Sequence, residues 1–408
     1  MNTVLTDSTP DLVRTQPVEI DAIWQAALAT GLPAAIWRLP NESVTEVIVS
    51  AGRGVMSVPA DFDELPMGFA LNAFRAIESD SLRFLPADFY WRFGEDGTLE
   101  EEMAPSAPAT GPVRQFRQML TTPAPPPSLP EWQVIEASGS EQEQFEERVR
   151  RAVEQIERGI MRKVVLSRTK TIQFGQTPDA VTLFRRLCRT YPTAFVSGVY
   201  LPEQNQIWLG ATPEKLVSQD AQGMFRTVSL AGTQSAFDSE GQQKRPSEAQ
   251  WTQKEIEEQA LVSRYIIECF KRIRLREYIE QGPRTMLAGN LMHLRTDFTV
   301  DTGAVNFPQL ATVMLRLLHP TSAVCGMPRE PALGFIEQHE THDRELYSGY
   351  LGPVNVRSET HLFVNLRCVK LEGETGTLFA GAGITEDSVP EREWRETELK
   401  CQTFLNTL

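Results

Sequence analysis

The stretch LFAGAGITEDSVPEREWRETELK, Leu378 to Lys400, decides how the rest of the chain is read. Leu378-Phe379-Ala380 reads as the end of a strand. Gly381-Ala382-Gly383 then reads as a small-residue turn, where glycine permits φ > 0 and lets a ligand approach the main chain. After a polar loop, Pro390 fits the first turn of a helix, where its missing N–H costs nothing. Along that helix Glu396 and Lys400 are four residues apart and share one face. A carboxylate and an ammonium there, beside a glycine turn, can hold a metal ion and an anionic ligand together. Taken alone, they are also an ordinary exposed ion pair on an amphipathic helix.

The wider composition narrows the setting. The chain has 408 residues, 41% hydrophobic and 23% charged, which is the balance of a globular protein. That length suits two or three average domains or one large α/β unit. The net charge of −14 argues against a nucleic-acid partner and against an anionic membrane surface. It also means that an anionic ligand would need local cations or a divalent metal. Cys188, Cys269, Cys325, Cys368 and Cys401 are scattered without a C-x-x-C spacing, so buried free thiols in a reducing compartment are expected. The first residues carry no basic and apolar leader pattern, and no run approaches 18 apolar residues. The expectation is a bacterial cytoplasmic protein.

Working outward, Ile20 to Thr30 reads as a short helix closed by Gly31. AAIWRL (34–39) and EVIVSA (46–51) read as strands, and LRFLPADFYWRF (82–93) as a further aromatic-rich run. From 104 to 130 eight prolines make regular structure unfavourable, and an extended surface segment is expected, either a linker or an excursion within one domain. Ser140 and Glu143 form an S-x-x-E capping box ahead of a helix that Gly159 closes. KVVLSRTKTIQF (163–174) is β-rich. A helix near 178–190, strands at 194–201 and 206–210, a long helix at about 250–275 and strand regions near 296–300 and 362–370 follow.

Five stretches invite a functional reading. They are Lys163 in RKVVLSR, Glu214 in GATPEKL, Leu230-Ala231-Gly232-Thr233 in SLAGTQ, Glu255 and Glu258 in KEIEEQALV, and Arg367 in NLRCVKL. Each has an ordinary alternative: a solvated lysine, an acid in a helix first turn, a plain turn, a wet helix face. Arg367 is the least ordinary, because a guanidinium inside an apolar strand needs an anion partner.

Together with the C-terminal stretch, these motifs resemble the chorismate-utilising enzymes from about Phe145 to Leu408, in order, spacing and residue type. That family includes isochorismate synthases, salicylate synthases, anthranilate synthase large subunits and aminodeoxychorismate synthases. The resemblance implies one large α/β (α+β) fold like that of anthranilate synthase, with antiparallel sheets in a sandwich flanked by helices. It implies that residues 1–130 form a variable N-terminal part of the same fold, with the Pro-rich 104–130 as an excursion, and that 140–408 form the catalytic region. It also implies Mg²⁺ held by Glu258 and Glu396, with Glu255 just outside. Lys400 would lie near the ring carboxylate and the metal. Arg367 and Tyr347 would contact the enolpyruvyl carboxylate. Gly232, Thr233 and Gly381 would contact the ligand, and Ala323 and Val324 would wall the ring. Lys163 takes the position of the base and Glu214 that of the acid.

Two positions separate the branches of the family. Members that add ammonia carry Gln where this chain has Lys163, and a lysine fits activation of water. The aminodeoxychorismate branch carries a lysine nucleophile where this chain has Ala231. The resemblance therefore implies an isochorismate synthase; a monomer without a glutaminase subunit is the default expectation, and the product suits menaquinone or siderophore synthesis alike. Salicylate synthase and a silent chorismate-binding protein are the alternatives. For these roles a lysine base needs a pKa well below its reference of about 10.4, and Glu214 must stay protonated near neutrality. One departure stands out: Thr341-His342 in ETHDRELYSG replaces a frequent Pro-Phe.

Overall fold

The strand Lys163–Phe174 falls where its run of Val, Ile and Thr predicts. The computed structural model describes residues 18–52, 54–75, 81–105, 111–121, 129–135, 139–238, 240–288 and 291–408. Along nearly its whole length this strand pairs antiparallel with Thr375–Ile384. Gly381, Ala382 and Gly383 lie opposite Ser167, Leu166 and Val165, so they are strand interior. The expected turn is not there. What these glycines supply is space. A Cβ on Gly383 would stand 2.5 Å from Glu258 Oε1, and one on Gly381 2.8 Å from the Tyr347 hydroxyl.

Two antiparallel sheets are built around this pair. In the first, the order runs Gly326–Met327, Lys163–Phe174, Thr375–Ile384, Cys368–Glu372, Gln206–Thr212, Phe195–Leu201, Ala34–Arg38, Thr45–Val49, Phe89–Phe93, Leu99–Met103, with Trp132–Val134 beside Lys163–Phe174. In the second it runs Ile279–Ala288, Leu291–Asp301, Met224–Ser235, Lys215–Gln219, Thr360–Val364, Tyr350–Val354, Gly68–Asn72, Ser81–Pro86, Met56–Pro59. Strands from the first hundred residues thus continue both sheets, through Ala34–Arg38 on Phe195–Leu201 and Gly68–Asn72 on Tyr350–Val354.

The sheets face each other, with helices on their outer sides. In the strand Ala34–Arg38, Ala34 and Ile36 pack outward with the helix residues Trp24, Leu183 and Phe184, while Ala35 and Trp37 turn toward the second sheet. That is the period of two expected for a strand buried on both faces. Phe195 of one sheet stacks on Phe363 of the other at 4.1 Å and 5°. Such a pair adds about 0.5–1.5 kcal/mol to the burial of its rings. Eight α-helices occur among the described residues, and none is long and apolar enough to cross a membrane. All five cysteines are free, four of them buried.

Several local expectations need correction. Within the Pro-rich window Gly111–Met119 is a helix that buries Phe116 against Phe89 and Trp91. Its apolar side pays for order that composition alone argued against, while 106–110 and 122–128 lie outside the described residues. The helix expected after a Ser140–Glu143 box begins at Gly139, so both residues sit inside its first turns. The capping box that does form is Thr252 with Glu255, at the start of the helix Gln253–Arg272. The run 82–93 divides into Ser81–Pro86 and Phe89–Phe93, one in each sheet. Ile279–Ala288 is an additional strand, mostly exposed at a sheet edge, where no alternation marks it.

Candidate functional site

The chain crosses between the sheets at two places side by side. Pro213-Glu214 carries it from Gln206–Thr212 in the first sheet to Lys215–Gln219 in the second. Asn365-Leu366-Arg367 brings it back, from Thr360–Val364 to Cys368–Glu372. Val364 N donates to Glu214 O at 3.0 Å, and Thr212 Oγ1 donates to Val364 O at 2.7 Å. Glu214 is therefore no helix first-turn acid, and Arg367 does not lie inside a strand. Arg367 has φ +51°, which a crossing accommodates and a strand does not.

A cavity with about 530 Å³ of space between atoms opens at these crossings. Lys163, fully buried, places its ammonium 2.8 Å from Glu258 Oε1, and Glu258 lines the cavity. Burial works against ionisation of Glu258, but the charge and hydrogen bond of Lys163, with Lys254 and Lys400, hold its pKa below the usual value. Glu214 lies on the same wall system and is 5% exposed. Burial pushes it up to about 7, against the pull of Lys163 and Arg367. Thr321 Oγ1 stands 3.5 Å from its Oε1.

The anion-holding side gathers Arg367, Tyr347, Gly381 and Lys400. Among the described residues, no carboxylate stands within 4 Å of the Arg367 guanidinium, although it is partly buried. Such a cation suits an incoming carboxylate. Tyr347 stacks on Phe379 at 5.3 Å, and burial holds its phenol in the protonated form. Lys400 Nζ donates to Gly381 O at 2.7 Å and pairs with Glu396 at 2.6 Å. Gly232, at φ +69°, sits where the register of Met224–Ser235 slips, so SLAGTQ is a bulge that points Gly232 and Thr233 into the cavity. Ala323 and Val324 close another wall.

Sequence reasoning missed His293, Lys254 and Glu393. His293 is 4% exposed and lines the cavity. Its Nδ1 lies 2.7 Å from Gly232 O, which only accepts, so the proton is assigned to Nδ1. Among the described residues Nε2 has no partner, and burial drives the ring pKa down to about 3. A neutral imidazole thus offers a free acceptor to the cavity. A lone histidine in the run NLMHLRT carries no signal of this.

The acids were tested as holders of Mg²⁺. Glu255 spends its carboxylate on Thr252 N and Oγ1, at 2.7 and 2.9 Å. Glu393 is 1% exposed and pairs with Lys254, yet its Oε2 has no partner. Burial first, then the charge of Glu396, raises its pKa. Among the described residues no three His, Cys, Asp or Glu side chains converge as a metal cage. Of the two carboxylates expected to hold Mg²⁺, Glu258 is paired with Lys163 at 2.8 Å and Glu396 with Lys400 at 2.6 Å, so each is engaged by an ammonium.

The model for "chorismate binding enzyme" matches residues 98–408. Isochorismate synthase EntC of Escherichia coli (strain K12) is 33% identical over 271 residues, 65% of this chain and 67% of that protein. The structure of the menaquinone-specific isochorismate synthase MenF of Escherichia coli superposes with a TM-score of 0.74 at 23% identity, covering 95% of this chain and 91% of that one. Anthranilate synthase component I of Streptococcus pneumoniae TIGR4 gives 0.65 at 19% identity, covering 98% and 95%. The family match takes in both sheet crossings and every residue that lines the cavity between them, and by it the chain belongs to the chorismate-binding enzymes.

Proposed function

We propose that this protein is an isochorismate synthase, which isomerises chorismate by adding water at C2 and releasing the C4 hydroxyl. The observation that carries the reading is that Glu214, raised to about 7, and Glu258, paired with Lys163 at 2.8 Å, line one cavity. A group titrating there is protonated in useful amount near neutrality and is matched to general-acid work. Lys163, once it has given up its own proton through its ion pair with Glu258, takes a proton from the water that attacks C2. Glu214 gives its proton to the C4 oxygen, which leaves as water while the ring double bonds shift. Exchange with solvent then returns both groups to their starting forms, so the net change is an isomerisation.

Arg367, which has no carboxylate partner among the described residues, and Tyr347 hold the enolpyruvyl carboxylate. Lys400, fixed by Gly381 O and Glu396, stands for the ring carboxylate. His293 Nε2 accepts a hydrogen bond from a substrate hydroxyl. Glu258 and Glu396 would hold Mg²⁺, which would supply a hard charge for the ring carboxylate and offset a protein of net charge −14. Ala231 offers no amine nucleophile, and water rather than ammonia is the reactant, so no glutaminase subunit is needed.

The test is an end-point assay of the purified protein with chorismate and Mg²⁺, products separated by chromatography. The expected result is isochorismate in equilibrium with chorismate. Salicylate with pyruvate would replace the name and keep the site. No turnover, with or without ammonia, would overturn the reading.

A further inference from the structure

Among the described residues, no strand holds the wall of the cavity at Val165 and Val324. The short strand Gly326–Met327 pairs only with Val164 and Lys163. One residue on, Val165 N still donates to Cys325 O at 2.8 Å, and there the edge backbone ends. In an antiparallel ladder Val165 N–H and C=O point the same way, away from Gly383. Val165 O and, two residues further, Ser167 N–H therefore face a missing strand.

A buried ion pair fills that place. Arg344, 2% exposed, donates through Nη2 to Val165 O at 2.7 Å and through Nη1 to Val324 O at 2.8 Å. Its Nε and Nη2 reach Glu340 at 2.8 and 2.6 Å. Glu340 Oε1 in turn accepts from Ser167 N at 2.6 Å and Ser167 Oγ at 2.9 Å. The guanidinium stands in for the missing donor and the carboxylate for the missing acceptor. Arg344 lies 4.2 Å over the Phe74 ring, and its own carbonyl accepts from Tyr347 N at 2.8 Å.

Three walls of the cavity therefore meet on one residue, two on its guanidinium and one on its main-chain carbonyl. Val165 is two residues from Lys163 on the same strand. Val324 N donates to Thr321 O at 3.1 Å, and Thr321 approaches Glu214. Tyr347 is the third. We propose that Arg344, fixed by Glu340, is a positioning residue that sets the distance between the Lys163 side and the Glu214 side of the cavity. It touches neither substrate nor reacting atoms. Because small misplacements of reacting groups are costly, loosening it acts on turnover before binding. A lysine cannot reproduce it, since one ammonium does not span two carbonyls and a carboxylate in a fixed plane.

The turnover arm rests on the proposed chorismate reaction, so the experiment has a second arm that does not. Arg344→Lys and Glu340→Gln are compared with the wild-type full chain by hydrogen exchange and by kinetics per folded molecule. Expected are faster exchange confined to peptides covering 162–168 and 321–326, with kcat lower by about 10- to 100-fold in Arg344→Lys and KM changed less than about threefold. Glu340→Gln, which keeps an acceptor oxygen for Ser167, gives the same pattern more weakly and decides the matter if Arg344→Lys does not fold. Unchanged exchange in both peptides overturns the clamp. Faster exchange with kcat within about twofold of wild type overturns positioning and leaves a structural role. A wild-type protein that does not turn over chorismate sinks the functional reading alone, and the exchange arm still judges the clamp.

Discussion

Glu214 and Glu258 look into the same cavity and are moved in opposite directions. Both pay for burial, and both feel Lys163. Glu258 has the Lys163 ammonium at 2.8 Å, with Lys254 and Lys400 nearby, and stays an anion. Glu214 sits on a sheet crossing where, among the described residues, its carboxylate meets only the Thr321 hydroxyl at 3.5 Å, and burial wins. The difference is one of contact rather than of exposure: a direct ion pair outweighs desolvation, and a field from further away does not. It divides the labour, one carboxylate to hold charge and one to hold a proton.

Lys163 is the shared neighbour, so removing it breaks the comparison hardest. Lys163→Ala takes away the proposed base, strips Glu258 of its partner and lets both carboxylates rise in pKa. The expected loss in kcat is on the order of 10³-fold or more, with about 3 kcal/mol of stability from an uncompensated buried charge. Steady-state kinetics and denaturant unfolding measure the two; activity within tenfold of wild type would remove the base assignment. Next is Glu214. Its raised pKa means that the competent protonated form persists up to about pH 7 and is lost above it. kcat/KM should fall about tenfold per pH unit beyond that point, and Glu214→Gln should cost roughly 10²- to 10⁴-fold. A profile flat to pH 9 counts against the acid role.

How much of this was legible in the sequence follows the same line between contact and context. Lys163–Phe174, Gln253–Arg272 and Pro390–Leu405 follow from periodicity and caps, because those signals are local. The resemblance placed Lys163, Glu214, Glu258 and Arg367; the last three line one cavity, and Lys163 pairs with Glu258 at 2.8 Å. Why they meet was not legible. Glu214 and Arg367 lie where the chain changes sheets, and no residue pattern announces which sheet a strand joins. The Gly381–Gly383 run looked like a turn because glycine tolerates φ > 0, yet the demand there is room for Glu258 and Tyr347 across the sheet. Arg344 and Glu340 escaped notice because an ion pair that replaces a strand needs the missing strand to be seen.

The anionic end makes a sharper contrast within one helix. Glu258→Gln removes a proposed oxygen ligand, and the Mg²⁺ concentration for half-maximal activity should rise roughly 10- to 100-fold. Glu255, one turn earlier, is engaged with Thr252, so Glu255→Ala should cost about 1 kcal/mol of stability and move the Mg²⁺ midpoint less than about threefold. A Mg²⁺ titration of both variants separates them. Equal shifts would mean that Glu255 leaves its cap to serve the metal.

The smallest effect tests whether burial alone makes a functional acid. Glu46 is 6% exposed and, like Glu214, has its pKa raised by burial. Its partners are neutral donors, Trp37 Nε1 and the Tyr90 hydroxyl, both at 2.7 Å. It lies between strands of the N-terminal part and does not line the cavity. Since the folded pKa lies above the unfolded one, its contribution to stability is full below about pH 4.3 and fades as pH rises through the folded value. Glu46→Gln, which cannot ionise, should gain on wild type in thermal midpoint as pH is raised from 4 to 8, with kcat within about twofold. A gap that closes with pH would contradict the sign. A kcat that falls with it would mean that the N-terminal strands reach the chemistry, and that the contrast between Glu214 and Glu258 is set by more of the molecule than the two sheet crossings.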